Sequence, residues 1–385
     1  MEVKLRKIWP LVGALCATVF SSAFAHSNYS SGSSYGSSMD SSNGSTQSGQ
    51  GTYQRGTFRE ITPNAGPRVA HGADVFVTAD FIWWKATQDG LNYAMSGVAS
   101  PANFDQLSST VGVTGRGSVS DPSFGWDPGF KVGLGLNLSH DGWDLYTQYT
   151  WLHSSASSSS KGIGITNSVN SVVAAIALDP ALNNAVRNAD WDLHFNVIDL
   201  ELGRSFYLSQ YLVIRPHFGL KGTWQEQDFK TKITADSSSF SPDLATASYN
   251  SHQDHDTWGL GIRGGVNLAW YMTKSWSIFG NVAWSAMWTH YDVDRKDQLT
   301  LLDNSETNLQ LVNTEMNNYR VRYVSELELG LRWEMWFYDD NYHFAIQAGW
   351  EEQVWLSYGN FIRLYNDTQG DLSLHGLNLK FRFDF

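Results

Sequence analysis

Charged side chains recur at every second position in one stretch of the chain. Arg320, Arg322, Glu326, Glu328, Arg332 and Glu334 all fall on even positions, alternating with Val321, Tyr323, Leu327, Leu329, Leu331 and Trp333. Lys131, Arg215, Lys221, Arg263, Lys380 and Arg382 stand in the same relation to apolar neighbours. Lined up around a channel, such residues make a constriction that sorts ions and small solutes. In a narrow barrel the same residues would instead pair and fill the interior. A second candidate is Ser251-His252-Gln253-Asp254-His255-Asp256, whose residue types can bind a metal. Its spacing matches no established site, so a solvated loop is the reading adopted and no metal or cofactor is expected. Asp89, His252, Asp254, His255 and His290 could activate water at a barrel mouth, but nothing in their spacing demands a hydrolase. An enzyme is therefore not expected.

The alternation has period 2, which is the period of a strand. Phe130 to Leu138 places every apolar residue on even positions, with Lys, Gly or Asn between them. Trp143, Leu145, Thr147, Tyr149 and Trp151 form one face of the next segment. Ten such strands are counted, near 75–86, 129–139, 142–152, 191–204, 211–224, 258–271, 275–289, 319–335, 341–351 and 372–385. Twelve would follow if 87–128 or 225–257 held a further hairpin, and 225–234 could extend a hairpin above a membrane. The alternation slips near Val197-Ile198, which reads as a β-bulge. Links alternate between short (140–142, 205–210, 272–274, 336–340) and long (87–128, 153–190, 225–257, 290–318, 352–371), as in outer-membrane barrels.

Composition agrees. Aromatic residues make up 14% of the chain, yet mean hydropathy is −0.31. After residue 25 no apolar run is long enough for a spanning helix, so a membrane-spanning chain of this kind must close as a barrel. Trp258 and Trp270 share a face, and a tilted strand climbs roughly 30 Å between them, close to the apolar band flanked by aromatic girdles. The expected fold is an all-β, antiparallel up-and-down transmembrane barrel over residues 71–385.

Residues 1–25 have the form of a secretory signal: Lys4, Arg6 and Lys7, an apolar stretch, then Ala23-Phe24-Ala25 as the cleavage pattern. The one cysteine, Cys16, falls inside it, so the mature chain has no disulfide. Residues 26–70 are rich in Ser and Gly and read as a disordered tail. The mature chain carries 23 basic and 37 acidic residues, a net −14 that excludes nucleic acid as a partner. The segments 225–256 and 290–318 each carry net −4, and Asp292, Asp294 and Asp297 are candidates for an acidic vestibule that concentrates cations. At the C-terminus Leu377, Leu379, Phe381, Phe383 and Phe385 share one face. A final amphipathic strand ending in Phe resembles the signal read by barrel-assembly machinery.

Several blocks then carry a family resemblance: Pro63 to Val69, His71 to Phe76, Thr78 to Ala86 with Asp89-Gly90-Leu91, Asn196 to Arg204, and Leu212 to Lys221. They resemble the major outer membrane protein-like family of Legionella and of environmental relatives of Chlamydia, over most of the chain after residue 60. The resemblance implies an abundant porin-like surface barrel with adhesin or antigen roles. Members of such families can be disulfide cross-linked, which this mature chain has no cysteine to do. The expected function is diffusion of ions and small solutes with mild cation preference. The alternative is a structural or adhesive barrel that does not conduct, and an outer-membrane protease ranks last. Expected partners are outer-membrane lipid, lipopolysaccharide and the assembly machinery, with homo-oligomerisation open. Both termini are expected in the periplasm and the long loops outside the cell.

Overall fold

A computed structural model describes residues 73–95, 118–138, 142–161, 163–164, 186–236, 246–301, 307–338, 341–362 and 368–385. The chain divides into residues 1–56 and 57–385, and every described residue belongs to the second unit. The signal sequence with Ala23 and Ala25, the tail, and the boundaries at 25 and 70 lie outside the described residues.

Ten long strands form the unit: β1 Ala73–Gln88, β2 Asp127–Leu138, β3 Trp143–Lys161, β4 Val186–Arg204, β5 Leu212–Asp236, β6 Thr246–Tyr271, β7 Trp276–Leu301, β8 Thr307–Phe337, β9 Tyr342–Phe361 and β10 Thr368–Asp384. Each pairs antiparallel with the strands before and after it, and β10 returns to β1, from Phe76↔Asp384 to Gln88↔Leu372. The sheet is thus a closed barrel with no open edge. Two-residue strands at Ser123–Phe124 and Phe206–Tyr207 attach to it. A small separate sheet joins Ala94–Met95 to Val119–Ser120 and Ile163–Gly164.

The near end, which carries Phe385, has the short links. Gly142 enters β3 at a left-handed φ of 69°, a conformation that glycine adopts without a Cβ penalty. The far end differs from the expected pattern of long loops. The segments 225–257, 290–318 and 352–371 are largely strand, because β5–β9 continue well past the positions where the alternation of apolar residues stops. The β5–β6 pair runs unbroken from Leu212↔Trp270 to Asp236↔Thr246, so 225–257 lengthens one hairpin and adds no barrel strand. The count is ten.

The bulge expected at Val197-Ile198 is absent. Burial alternates without interruption along β4, and its register with β5 is continuous through Val197↔Thr223 and Ile198↔Gly222. Register shifts occur instead at Asp297/Gln298 and between Trp355 and Gly359. At the second, Ser357 takes a φ of 53° and its N–H donates to Asp371 at 2.6 Å.

Outward-facing residues form an apolar band around the wall. Ile262 is 69% exposed, Trp284 62% and Leu329 61%, with Leu327, Leu331, Phe218, Leu220 and Phe381 also exposed. Water would not tolerate so continuous an apolar surface on a soluble monomer. Rings edge the band on both sides. Toward the far end, Phe130, Trp151, Trp224, Trp258, His290 and Tyr319 fall on one row of the register, interrupted at Asn196. Toward the near end stand Trp143, Trp270, Trp276, Trp333, Phe344 and Phe383. Beyond the upper ring row the outward face turns charged, with Glu226, Asp256 and Asp292 in the next row.

Candidate functional site

The interior brings many buried charged groups together, and it has two layers. The layer inside the apolar band is ionic. Lys131 on β2 donates to both oxygens of Glu351 on β9, at 2.7 and 2.6 Å. Asn378 donates to Glu328 and to Glu351, both at 3.0 Å, and Asn281 donates to Glu328 at 2.7 Å. Lys221 lies 2.9 Å from Asp199 and 2.9 Å from Glu326, tying β4 to β8 across the interior. Arg263 joins Glu326 at 2.7 Å and also Glu201, while Arg215 pairs with Asp144 and donates to Asn267 at 2.7 Å. Lys380 lies 3.4 Å from Asp80. Near the end of β10, Arg382 and His343 both hold the carboxylate of Asp384, at 2.6 Å each. Buried charges must be compensated in this way, because removing one partner leaves the other buried and unpaired. Glycines make room for the network. At Gly135 the ring of Phe76 occupies the space that a Cβ would need.

A cavity of about 290 Å³ remains inside this layer, lined among others by Arg215, Arg263, Glu328, Arg332, Lys380 and Arg382. Arg332 lies over the ring of Phe279, 5.6 Å from its centroid. Glu334 faces His343 at 3.7 Å. Arg320 and Arg322 share the inward face higher on β8, where Arg322 Nε donates to the Tyr291 hydroxyl at 3.2 Å.

The second layer, toward the far end, is apolar. Trp84, Leu152, Trp191, Leu193, Phe195, Met287, Val324, Trp355, Leu372 and Leu374 are almost wholly buried there. Phe195 stands on β4 and Trp355 on β9, five strands apart in a wall of ten. Their rings meet edge to face with centroids 5.5 Å apart. Phe229 on β5 meets Phe361 on β9 at 6.0 Å. These contacts reach across the interior from one part of the wall to another.

The sequence-derived candidates therefore divide. Lys131, Arg215, Lys221, Arg263, Glu326, Glu328, Arg332, Glu334, Lys380 and Arg382 share the ionic layer, with Arg320 and Arg322 above it. The three vestibule candidates do not sit together in a loop. Asp292 and Asp294 lie on the outward face of β7, while Asp297 faces inward, paired with Arg295 at 2.9 Å and accepting from Ser251 at 2.6 Å. The reason is that 290–301 is strand, so adjacent residues point to opposite faces. The same alternation splits the 251–256 cluster: His252, Asp254 and Asp256 face out, and His255 is buried against Phe361, ring centroids 5.5 Å apart. Among the described residues no three His, Asp or Glu converge as metal ligands. The sequence reading missed Trp191, Leu193, Phe195 and Trp355. Their signal was present in the slip at Val197-Ile198, which marks where apolar residues move from the outward to the inward face of β4. Leu377 and Phe381 are exposed on the outward face of β10, with Leu379 and Phe383 partly so, and Phe385, just past its end, is exposed.

An apolar, ring-edged wall around a charged interior defines an integral β-barrel of the bacterial outer membrane. The chain matches over residues 67–385 the family described as Legionella pneumophila major outer membrane protein precursor, and it belongs to that family. No curated protein matches it. Among solved structures it is similar to the outer membrane protease OmpT from Escherichia coli, at 9% identity over 81% of this chain and 96% of that one, TM-score 0.30. It is also similar to a Pseudomonas aeruginosa FadL homologue (10%, 82% and 90%, TM-score 0.25) and to Ail, the attachment invasion locus protein of Yersinia pestis (7%, 81% and 99%, TM-score 0.22). Likeness at that level has no bearing on what this chain does.

Proposed function

We propose that this protein is an abundant surface barrel of the outer membrane whose lumen is closed at rest, acting through its structure and its displayed far end more than as an open diffusion pore. The observation that carries this is the Phe195–Trp355 contact across the interior, backed by the apolar layer around it. Small barrels are filled by side chains in this way. In this reading the near end and both termini face the periplasm, the far end faces outward, and residues 1–25 are removed on export. The terminal face of Leu377 to Phe385 is what the assembly machinery reads, and lipopolysaccharide surrounds the charged rows above the rings. Kinship with environmental relatives of Chlamydia is proposed on the quoted sequence blocks alone.

A porin with mild cation preference is the second reading. It is favoured by the cavity of about 290 Å³, whose lining holds eight carboxylates against six Lys and Arg. Planar-bilayer recording of the purified protein separates the two. The closed reading expects no steady conductance from the wild type and a conducting Phe195→Ala/Trp355→Ala variant. Steady wild-type channels whose reversal potential follows the cation gradient would establish the porin instead.

A further inference from the structure

Beyond the upper ring row, strands β3, β4 and β5 continue with their outward faces in water. One row of that face reads His153↔His194↔Glu226, each residue directly opposite the next in the register. The two imidazoles are exposed and stacked, centroids 4.2 Å apart with 6° between their planes. Neighbouring strands lie ~4.8 Å apart, so His194 stands between a second imidazole and a carboxylate, each one strand away. The row above adds Asp192 beside Ser155. Two imidazoles and a carboxylate are the donor set of many zinc sites. The sheet also supplies what such a site needs, namely three donors fixed on three paired strands with little freedom to separate.

We propose that His153, His194 and Glu226 bind a divalent transition-metal cation, zinc foremost, on the outward face of the far end. Among the described residues no three ligands already converge on one point. The histidine pair is therefore the core of the site: each ring turns about its Cβ–Cγ bond to aim a nitrogen at the metal. Glu226 leans in from β5, and water completes the tetrahedron. Bound metal would clamp β3 to β4 and β5 just above the membrane, and would bring positive charge to a face where Glu226, Asp256 and Asp292 lie side by side.

The test is calorimetric titration of zinc chloride into the full-length mature protein in detergent micelles, with heat-modifiable gel mobility confirming that each variant is folded. The expected result is one zinc per chain at pH 7.5. His194→Asn should abolish that site, His153→Asn should weaken it at least tenfold, and Glu226→Gln should weaken it several-fold. His252→Asn, elsewhere on the same face, should leave it unchanged. Wild-type protein that binds no zinc, or a His153→Asn/His194→Asn double variant that binds as the wild type does, would overturn the assignment.

Discussion

Along β4, the residues facing outward from Asn188 to Asn196 are Asn, Asp, Asp, His and Asn, while Ala189, Trp191, Leu193 and Phe195 face in. From Ile198 to Leu202 the assignment reverses. Ile198, Leu200 and Leu202 face out, and Asp199 and Glu201 face in. β5 does the same about Trp224. On its near-end side Phe218 and Leu220 face out over Arg215, His217 and Lys221; on its far-end side Glu226, Asp228 and Lys230 face out over Phe229 and Ile233. Both strands keep a single register throughout. What changes at the ring row is the solvent. Against lipid the apolar side chains belong outside and the charges must be paired within. Against water the hydrophobic effect turns the same wall the other way and builds an ordinary packed core. The barrel is thus two proteins end to end: one stabilised by lipid around an ionic interior, the other by an interior of Trp, Phe and Leu.

That comparison predicts its largest effect in the apolar layer. Trp191→Ala or Trp355→Ala removes a fully buried indole from a core facing other protein atoms and should cost about 3–5 kcal/mol. Trp284→Ala removes an indole that faces lipid and is 62% exposed, and should cost far less. Equilibrium unfolding of the three variants in micelles is the measurement. Equal losses would mean that the far-end layer is no core.

A smaller effect distinguishes the outward faces. Leu329→Arg places a charge on the lipid face and should cost about 2–4 kcal/mol if the site lies near the midplane. Glu315→Arg, on the outward face beyond the ring row and opposite Asp294, should stay within about 0.5 kcal/mol. If both substitutions cost the same, the water–lipid boundary is not at the row of Trp258 and Tyr319.

These contrasts also show what the sequence could and could not reveal. Leu327, Leu329 and Leu331 are legible as an outward set and Glu326 and Glu328 as an inward one, because in that stretch charge and apolarity alternate cleanly. The ten strands and the C-terminal apolar face are legible for the same reason. Alternation, however, reports only that two faces differ; it does not say which one is inside. Trp191 to Val197 alternate as well as Ile198 to Leu202 do, and only the identity of the surrounding solvent decides that the apolar residues of the first set face the interior. Charged stretches such as 251–256 and 290–297 resemble loops because on them the outward face is water and the inward face mixes Ser251, Gln253, Arg295 and Asp297 with the core. An inward polar residue paired across the lumen leaves no mark in its own neighbourhood of sequence.

The smallest predicted effect lies in the charged rows of the far end, where Asp228, Asp254, Asp294 and Glu315 face one another across four strands, below a row holding Lys230, His252 and Lys296. Like charges directly opposite on paired strands repel. Partial burial, together with the carboxylates of Asp254, Glu226, Asp292 and Asp294, pushes the Asp256 carboxyl up to about 7. A carboxyl whose folded value lies above its unfolded value holds its proton more tightly in the folded state. The far end should therefore gain stability as pH falls below about 7, the gain being complete below the ordinary value near 3.8, and should lose it as pH rises through 7. Lipid-facing rows hold no comparable group, so the effect should be confined to one end of the barrel. Hydrogen exchange corrected for intrinsic rates reads this directly. Amide protection around Asp254–Thr257 should rise between pH 8 and pH 5 in the wild type, while amides around Leu327–Leu331 stay constant. Asp256→Asn should raise far-end protection at pH 8 and flatten its dependence on pH. Protection that falls on acidification, or an equal change at both ends, would show that crowding of carboxylates above the ring row does not govern that region.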